Sequence, residues 1–154
     1  MAVTVAVAMM LSFVESRIPP LTAVPGVKVG LANVAVIFAL YKLGAGRAAA
    51  ISLVRVLLVA MLFGSPISML YSIAGAVLSL GAMIPLKRLT PLSEVGVSVV
   101  GGVMHNVGQI AMASIIMETA VIALYLPTLL VSGTIAGIAV GTASALLVRK
   151  VKIC

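Results

Sequence analysis

The chain of 154 residues is 63% hydrophobic and only 8% charged, with a formal net charge of +7. A soluble domain carries about 25% charged residues, so these few charges cannot cover the surface of a globule in water. The composition excludes a soluble enzyme and a disordered chain. It also excludes nucleic acid as a partner, because the basic residues are scattered and form no patch interleaved with aromatic residues.

Long apolar runs, broken by Pro, Gly and charged residues, predict an all-α polytopic membrane helix bundle. We expect a single transmembrane domain over residues 1–154 with about six transmembrane helices. The predicted helices cover residues 2–14, 28–43, 47–63, 67–86, 95–117 and 127–147. Because the first of these helices is short, five full spans plus a partial one is an alternative.

Two of the segments that connect the predicted helices are too long for simple turns. Residues 16–27 hold three prolines and are predicted as a loop or a re-entrant segment. Residues 118–126 either extend the fifth helix or lie at the membrane interface.

The distribution of basic residues predicts the orientation of the helices, because short cytoplasmic loops are enriched in Lys and Arg. With six crossings and a cytoplasmic N-terminus, seven basic residues lie inside: Lys42, Arg47, Lys87, Arg88, Arg149, Lys150 and Lys152. The opposite orientation would place all seven outside. We therefore expect both termini in the cytoplasm, which leaves three basic residues that topology does not explain.

The first of these, Arg55, lies at the centre of the predicted third helix, eight residues from either end, or about 12 Å along the axis. A charge at the centre of a spanning helix costs about 2.5–3.5 kcal/mol on insertion scales, and snorkelling cannot easily carry it that far. We expect Arg55 to face the interior of the bundle and to meet an anion. A structural ion pair with Glu15 or Glu118 and a ligand site are both open, and they are compatible.

The other two, Arg17 and Lys28, flank the proline-rich segment on the predicted outer side. They either anchor this segment at the interface or capture an anionic group from outside. In the second case Gly26 lets the chain turn closely into the second helix, whose N-terminal end also favours an anion.

The fifth predicted helix carries the densest polar cluster, His105, Asn106 and Gln109. At 3.6 residues per turn, His105 and Gln109 share one face with three glycines. Such a face either forms hydrogen bonds between helices, worth about 0.6–2 kcal/mol each, or leaves room for a ligand. A metal site is not expected, because one His, three scattered Glu and a terminal Cys do not make a ligand set.

Small residues at every fourth position predict a closely packed face on the sixth helix. They are Gly133, Gly137, Gly141 and Ala145. Ala2 and Ala6 form a shorter row of the same kind in the first helix.

No motif of a phosphate-binding loop, a nucleophile elbow or a metalloprotease is present. The chain contains no Asp, so it lacks the paired aspartate-rich motifs that a prenyl transfer enzyme uses to hold a diphosphate through Mg²⁺. We therefore expect no catalysis, no cofactor and no ATP hydrolysis by this chain. Active transport would need a partner or an ion gradient.

Several stretches resemble a bacterial membrane family called heptaprenyl diphosphate synthase component I, also labelled Gx transporter. The stretches are FVESRIPP at 13–20, PGVKVGLAN at 25–33, Arg55, FG at 63–64, LYSIAG at 70–75, HNVGQ at 105–109 and YLP at 125–127. The resemblance covers nearly the whole chain. It implies a protein of the bacterial inner membrane and, by the family's name, a polyprenyl synthase as partner.

The overall plan also resembles the substrate-binding S components of energy-coupling factor (ECF) transporters. That resemblance implies six helices, a loop after the first helix that covers an outward-facing site, and an alanine row that docks on a coupling protein. Ala2 and Ala6 stand where this row would lie.

Two functions are therefore expected. In the first, the chain is a non-enzymatic transporter subunit that binds a small anionic molecule from outside and relies on an ECF-type coupling protein and ATPases. The expected binding residues are Glu15, Arg17, Lys28, Asn33, Arg55, His105, Asn106 and Gln109. In the second, it is a non-catalytic membrane subunit that anchors a polyprenyl diphosphate synthase through its cytoplasmic basic residues.

Overall fold

The computed structural model describes residues 1–17 and 30–151. Within these ranges the chain forms six α-helices and one 3-10 helix, with no β-strand. The α-helices are α1 (Ala2–Arg17), α2 (Asn33–Lys42), α3 (Ala45–Phe63), α4 (Pro66–Leu89), α5 (Glu94–Ile116) and α6 (Leu126–Lys150), and the 3-10 helix (Ala120–Tyr125) leads directly into α6. The predicted all-α helix bundle is confirmed.

Four stretches of this bundle are long and apolar enough to cross a membrane. They are Ala45–Leu62, Pro66–Leu89, Glu94–Ile116 and Ala120–Lys150. Large apolar side chains cover their outer surfaces, and Met61 is 82% exposed and Ile115 71% exposed. An apolar surface of this extent is suited to lipid rather than water. The chain is therefore a membrane protein, and the cytoplasmic position of its termini stays a prediction.

The first two helices differ from the predicted ranges. α1 continues to Arg17, so Glu15 and Arg17 belong to its last turn and not to a loop. α2 begins at Asn33, five residues later than predicted, because the backbone turns at Gly30 with a φ of 75°, a conformation that favours glycine. Lys28, Gly26 and the rest of the segment from 18 to 29 lie outside the described residues.

The later boundaries differ in smaller ways. α4 extends to Leu89 and so contains Lys87 and Arg88, which were expected in a polar link. The segment after α5 does not extend that helix, because Glu118 adopts a positive φ of 49° and a 3-10 helix follows.

The junction between α3 and α4 shows how the local sequence sets a helix boundary. Ser65 and Ser68 form a reciprocal capping box, in which each side-chain oxygen accepts a hydrogen bond from the other residue's backbone N–H, at 3.0 and 3.2 Å. Pro66 occupies the first position of α4, where its missing N–H costs nothing. α4 therefore starts within three residues of the end of α3.

The helices form two groups. In one group α5 packs extensively against both α4 and α6, and in the other α1, α2 and α3 contact one another. The groups meet where α2 contacts α6 and α3 contacts α4. α2 is apolar on all sides and six of its ten residues are buried, as expected for a helix in the interior of a bundle.

Lys87 joins α4 to the C-terminal end of α2. Its Nζ donates a hydrogen bond of 2.6 Å to the carbonyl oxygen of Leu40 and lies 4.8 Å from the centroid of the Tyr41 ring. This carbonyl is one of the last four of α2, which have no partner within the helix. Lys87 thus closes the end of a buried helix.

Replacing Lys87 by Met is expected to lower the free energy of unfolding by about 1–3 kcal/mol, because a charged hydrogen bond and a cation–π contact are both lost. Denaturant unfolding in detergent micelles, followed by circular dichroism, measures this loss. Arg88→Met is the matched control, since Arg88 is exposed on the same turn. Equal losses in the two variants would contradict the prediction.

Candidate functional site

A cavity of about 150 Å³ lies inside the bundle and is lined by residues of all six α-helices. It follows one face of α5 from Ser98 to Gln109, which is about 16 Å of helix. Its lining also includes Glu15 and Gly64, where α1 and α3 end. The cavity therefore reaches the end of the bundle at which α1 and α3 end and α2 and α4 begin.

Six of the eight candidate binding residues line this cavity. They are Glu15, Asn33, Arg55, His105, Asn106 and Gln109. Arg17 is not among the described lining residues: it is exposed at the end of α1, with its guanidinium carbon 5.0 Å from the centroid of the Phe13 ring. Lys28 lies outside the described residues.

Arg55 enters the cavity from the middle of α3 and does not face the lipid. Its Nε is buried and has no hydrogen-bond partner among residues 1–17 and 30–151. Of the two acidic residues considered as partners, Glu15 is the one whose charge acts on Arg55, while Glu118 is exposed beyond the end of α5. Glu15 nevertheless does not satisfy Nε by a hydrogen bond.

Glu15 reaches the same cavity from the last turn of α1. Its Oε1 accepts a hydrogen bond from the backbone N–H of Gly30, which ties the end of α1 to the turn before α2.

The polar residues of α5 line the cavity, and two of them also contact neighbouring helices. The His105 ring lies against α4 at Gly75, where a Cβ would stand only 2.8 Å from its Cε1. Asn106 donates a hydrogen bond of 2.6 Å from Nδ2 to the carbonyl oxygen of Leu129 on α6. The amide donor of Asn106 thus joins two helices, which is one of the two roles predicted for this cluster.

Several serines that the sequence analysis did not single out line the cavity. Ser98 is 3% exposed, and its Oγ is buried without a hydrogen-bond partner. Ser68, Ser72 and Ser79 line it from α4. The spacing of these residues could have revealed them. Ser98 lies seven residues before His105, which places both on one face of α5. The three serines of α4 are four and seven residues apart and also share one helix face.

The small residues of α6 bring its backbone directly onto α5. A Cβ added to Gly137 would lie 2.6 Å from the Cα of Val99, and one added to Gly141 would lie 2.7 Å from the Cα of Val95. Gly133 faces Asn106 in the same way, and Ala145 continues the row as a half-buried residue. Gly133 and Gly137 also line the cavity, so their missing side chains both allow close packing and leave space.

The donor set of the cavity is suited to binding a polar molecule. It offers a guanidinium, a carboxylate, an imidazole, side-chain amides and several hydroxyls on otherwise apolar walls. In the part of the chain that the structure describes, no three residues of His, Cys, Asp or Glu come close enough to hold a metal ion.

Comparison with known proteins gives a family match. No curated protein and no solved structure matches the chain. Residues 4–147 match the family described as heptaprenyl diphosphate synthase component I, a range that includes every described residue lining the cavity. The chain therefore belongs to the heptaprenyl diphosphate synthase component I family.

Proposed function

We propose that this chain is a non-catalytic membrane subunit that binds a small molecule with an anionic group in the central cavity. The observation that carries the proposal is the Arg55 side chain, which lines the cavity from mid-helix with a buried Nε that has no partner. A charge at the centre of a spanning helix costs about 2.5–3.5 kcal/mol on insertion scales. An anionic ligand offsets that cost when it binds.

The buried Ser98 hydroxyl supports the same proposal independently. A buried hydroxyl without a hydrogen bond is unfavourable by about 1–3 kcal/mol, and Ser98 lines the same cavity as Arg55. A ligand that fills this cavity and accepts hydrogen bonds would satisfy polar groups of this kind. Gln109 and Asn33, which also line the cavity, would orient this ligand by hydrogen bonds.

One candidate partner is a polyprenyl diphosphate synthase, and the family's description favours it. In this version the chain anchors or feeds the enzyme at the inner membrane. Its exposed basic residues Arg88, Arg149 and Lys150 would form the docking surface on the cytoplasmic side. Lys87 contributes less, because its amino group is held by Leu40 and Tyr41.

The other candidate partner is an ECF-type coupling protein with its ATPases, which would make the chain a transporter subunit. This version is supported by the sequence resemblance to S components and by the cavity at the predicted outer end of the bundle. Ala2 and Ala6 are exposed on α1, as the expected docking row requires.

Extraction in native lipid particles, followed by native mass spectrometry, tests the binding and the partners together. We expect a small molecule of defined mass bound to the chain. Co-purified prenyl synthase would favour the first partner, and a coupling protein with ATPases would favour the second. Purified particles without any bound small molecule would reject the proposed binding function.

A further inference from the structure

The charges that line the cavity restrict the kind of molecule that fits there. Among the described lining residues, Arg55 is the single Lys or Arg and Glu15 is the single acidic residue. One positive and one negative group therefore face the same small space of about 150 Å³. The combined charge of these described residues is zero, so they alone would not compensate a ligand of net negative charge.

From this juxtaposition we infer that the ligand is a small zwitterion, with an anionic group that pairs with Arg55 and a cationic group that pairs with Glu15. The inference rests on the proposed binding function and extends it. Uncompensated charges are costly in a medium of low dielectric constant. A zwitterion satisfies both side chains and brings no net charge into the membrane.

Both side chains line the cavity, where such a ligand can reach them. The Arg55 Nε has no hydrogen-bond partner among the described residues. The Glu15 carboxylate accepts from the Gly30 N–H, and a carboxylate can also accept from an ammonium group.

The same charge balance argues against a diphosphate as the ligand. A diphosphate carries two or more negative charges, whereas the described lining offers one guanidinium with a carboxylate nearby. The carboxylate repels the ligand, and like charges placed close together are disfavoured. If the partner is a prenyl synthase, the described lining residues thus favour a ligand other than its diphosphate substrate.

A competition experiment with the full chain in phosphatidylcholine nanodiscs tests the inference. The probe is an equimolar mixture of the common amino acids, short monocarboxylates, the matching alkyl amines, phosphate and diphosphate. Retained compounds are identified by mass spectrometry after dialysis. We expect one or more amino acids to be enriched about tenfold or more over the monocarboxylate of the same length, the effect of one charged hydrogen bond.

Glu15→Gln is the diagnostic variant. The Gln amide oxygen can still accept from the Gly30 N–H, so the variant removes the charge and keeps the link between α1 and α2. We expect the enrichment of amino acids over matching monocarboxylates to disappear. Glu94→Gln is the control, because Glu94 lies in the first turn of α5 and is not among the lining residues, and we expect it to keep the wild-type preference.

The outcomes separate the inference from the proposed function. If monocarboxylates, phosphate or diphosphate are retained in preference to amino acids, or if Glu15→Gln keeps the wild-type preference, the ligand is not a zwitterion but the binding function stands. If nothing is enriched over empty nanodiscs, the binding function fails and the inference fails with it.

Discussion

The Arg55→Met variant is expected to lose ligand binding while its fold becomes at least as stable as that of the wild type. Met fills a similar length without a charge, so the cost of burying a charged guanidinium disappears. Binding of the retained compounds should fall about 10- to 150-fold, because a charged hydrogen bond contributes about 1.5–3 kcal/mol. Denaturant unfolding in micelles measures the stability, and the nanodisc retention assay measures the binding.

The combination of the two effects distinguishes a ligand site from a structural ion pair. If Arg55 served mainly to pair with Glu15, its removal would leave a buried carboxylate unpaired and would destabilise the fold by about 3–5 kcal/mol. Arg47→Met is the matched control on α3, because Arg47 is exposed near the start of that helix. It should change neither binding nor stability, and destabilisation of the Arg55 variant alone would favour the ion pair.

Adding one methyl group at Gly137 is expected to destabilise the bundle by about 1–3 kcal/mol, the usual cost of overpacking. The new Cβ would lie 2.6 Å from the Cα of Val99 and 3.1 Å from the carbonyl oxygen of Ser98. Both contacts are with backbone, which cannot move aside as a flexible side chain can. α5 and α6 must therefore separate, and the wall of the cavity moves with them.

Gly81→Ala is the matched control for Gly137→Ala. Gly81 lies within α4, where a Cβ would meet nothing within 4 Å. The same change there should stabilise the helix by about 0.5–1 kcal/mol, because alanine loses less conformational freedom than glycine. Thermal unfolding of both variants in one detergent gives the comparison, and a Gly137→Ala variant as stable as Gly81→Ala would show that α5 and α6 do not pack as closely as described.

The sequence predicted which residues share a helix face better than it predicted where the helices begin and end. The spacing of His105 and Gln109 predicted that they share a face, and both line the cavity. The start of α2 was placed five residues too early, because the turn at Gly30 is stabilised by a hydrogen bond from Gly30 to Glu15. Such a contact between residues that are distant in sequence leaves no periodic signal.

The roles of individual side chains depended on neighbouring helices. Asn106 and His105 are adjacent in sequence and were assigned the same role, yet Asn106 donates its amide hydrogen to Leu129 on α6. Arg17 was expected either to anchor the segment after α1 at the interface or to capture an anion, and it lies exposed beside Phe13. Helical spacing gives the direction of a side chain from its own axis, but not the helix that stands opposite.

The sequence by itself determined that this chain is an all-α membrane protein with a charge deep in its third helix. Composition and the length of apolar runs are properties of a single segment, and lipid requires them whatever the neighbours are. Only the tertiary structure decided that Arg55 and Glu15, forty residues apart, face one cavity beside Ser98. Their proximity depends on how α1, α3 and α5 pack against one another. Packing is a property of pairs of helix surfaces, so the sequence of one helix does not determine it.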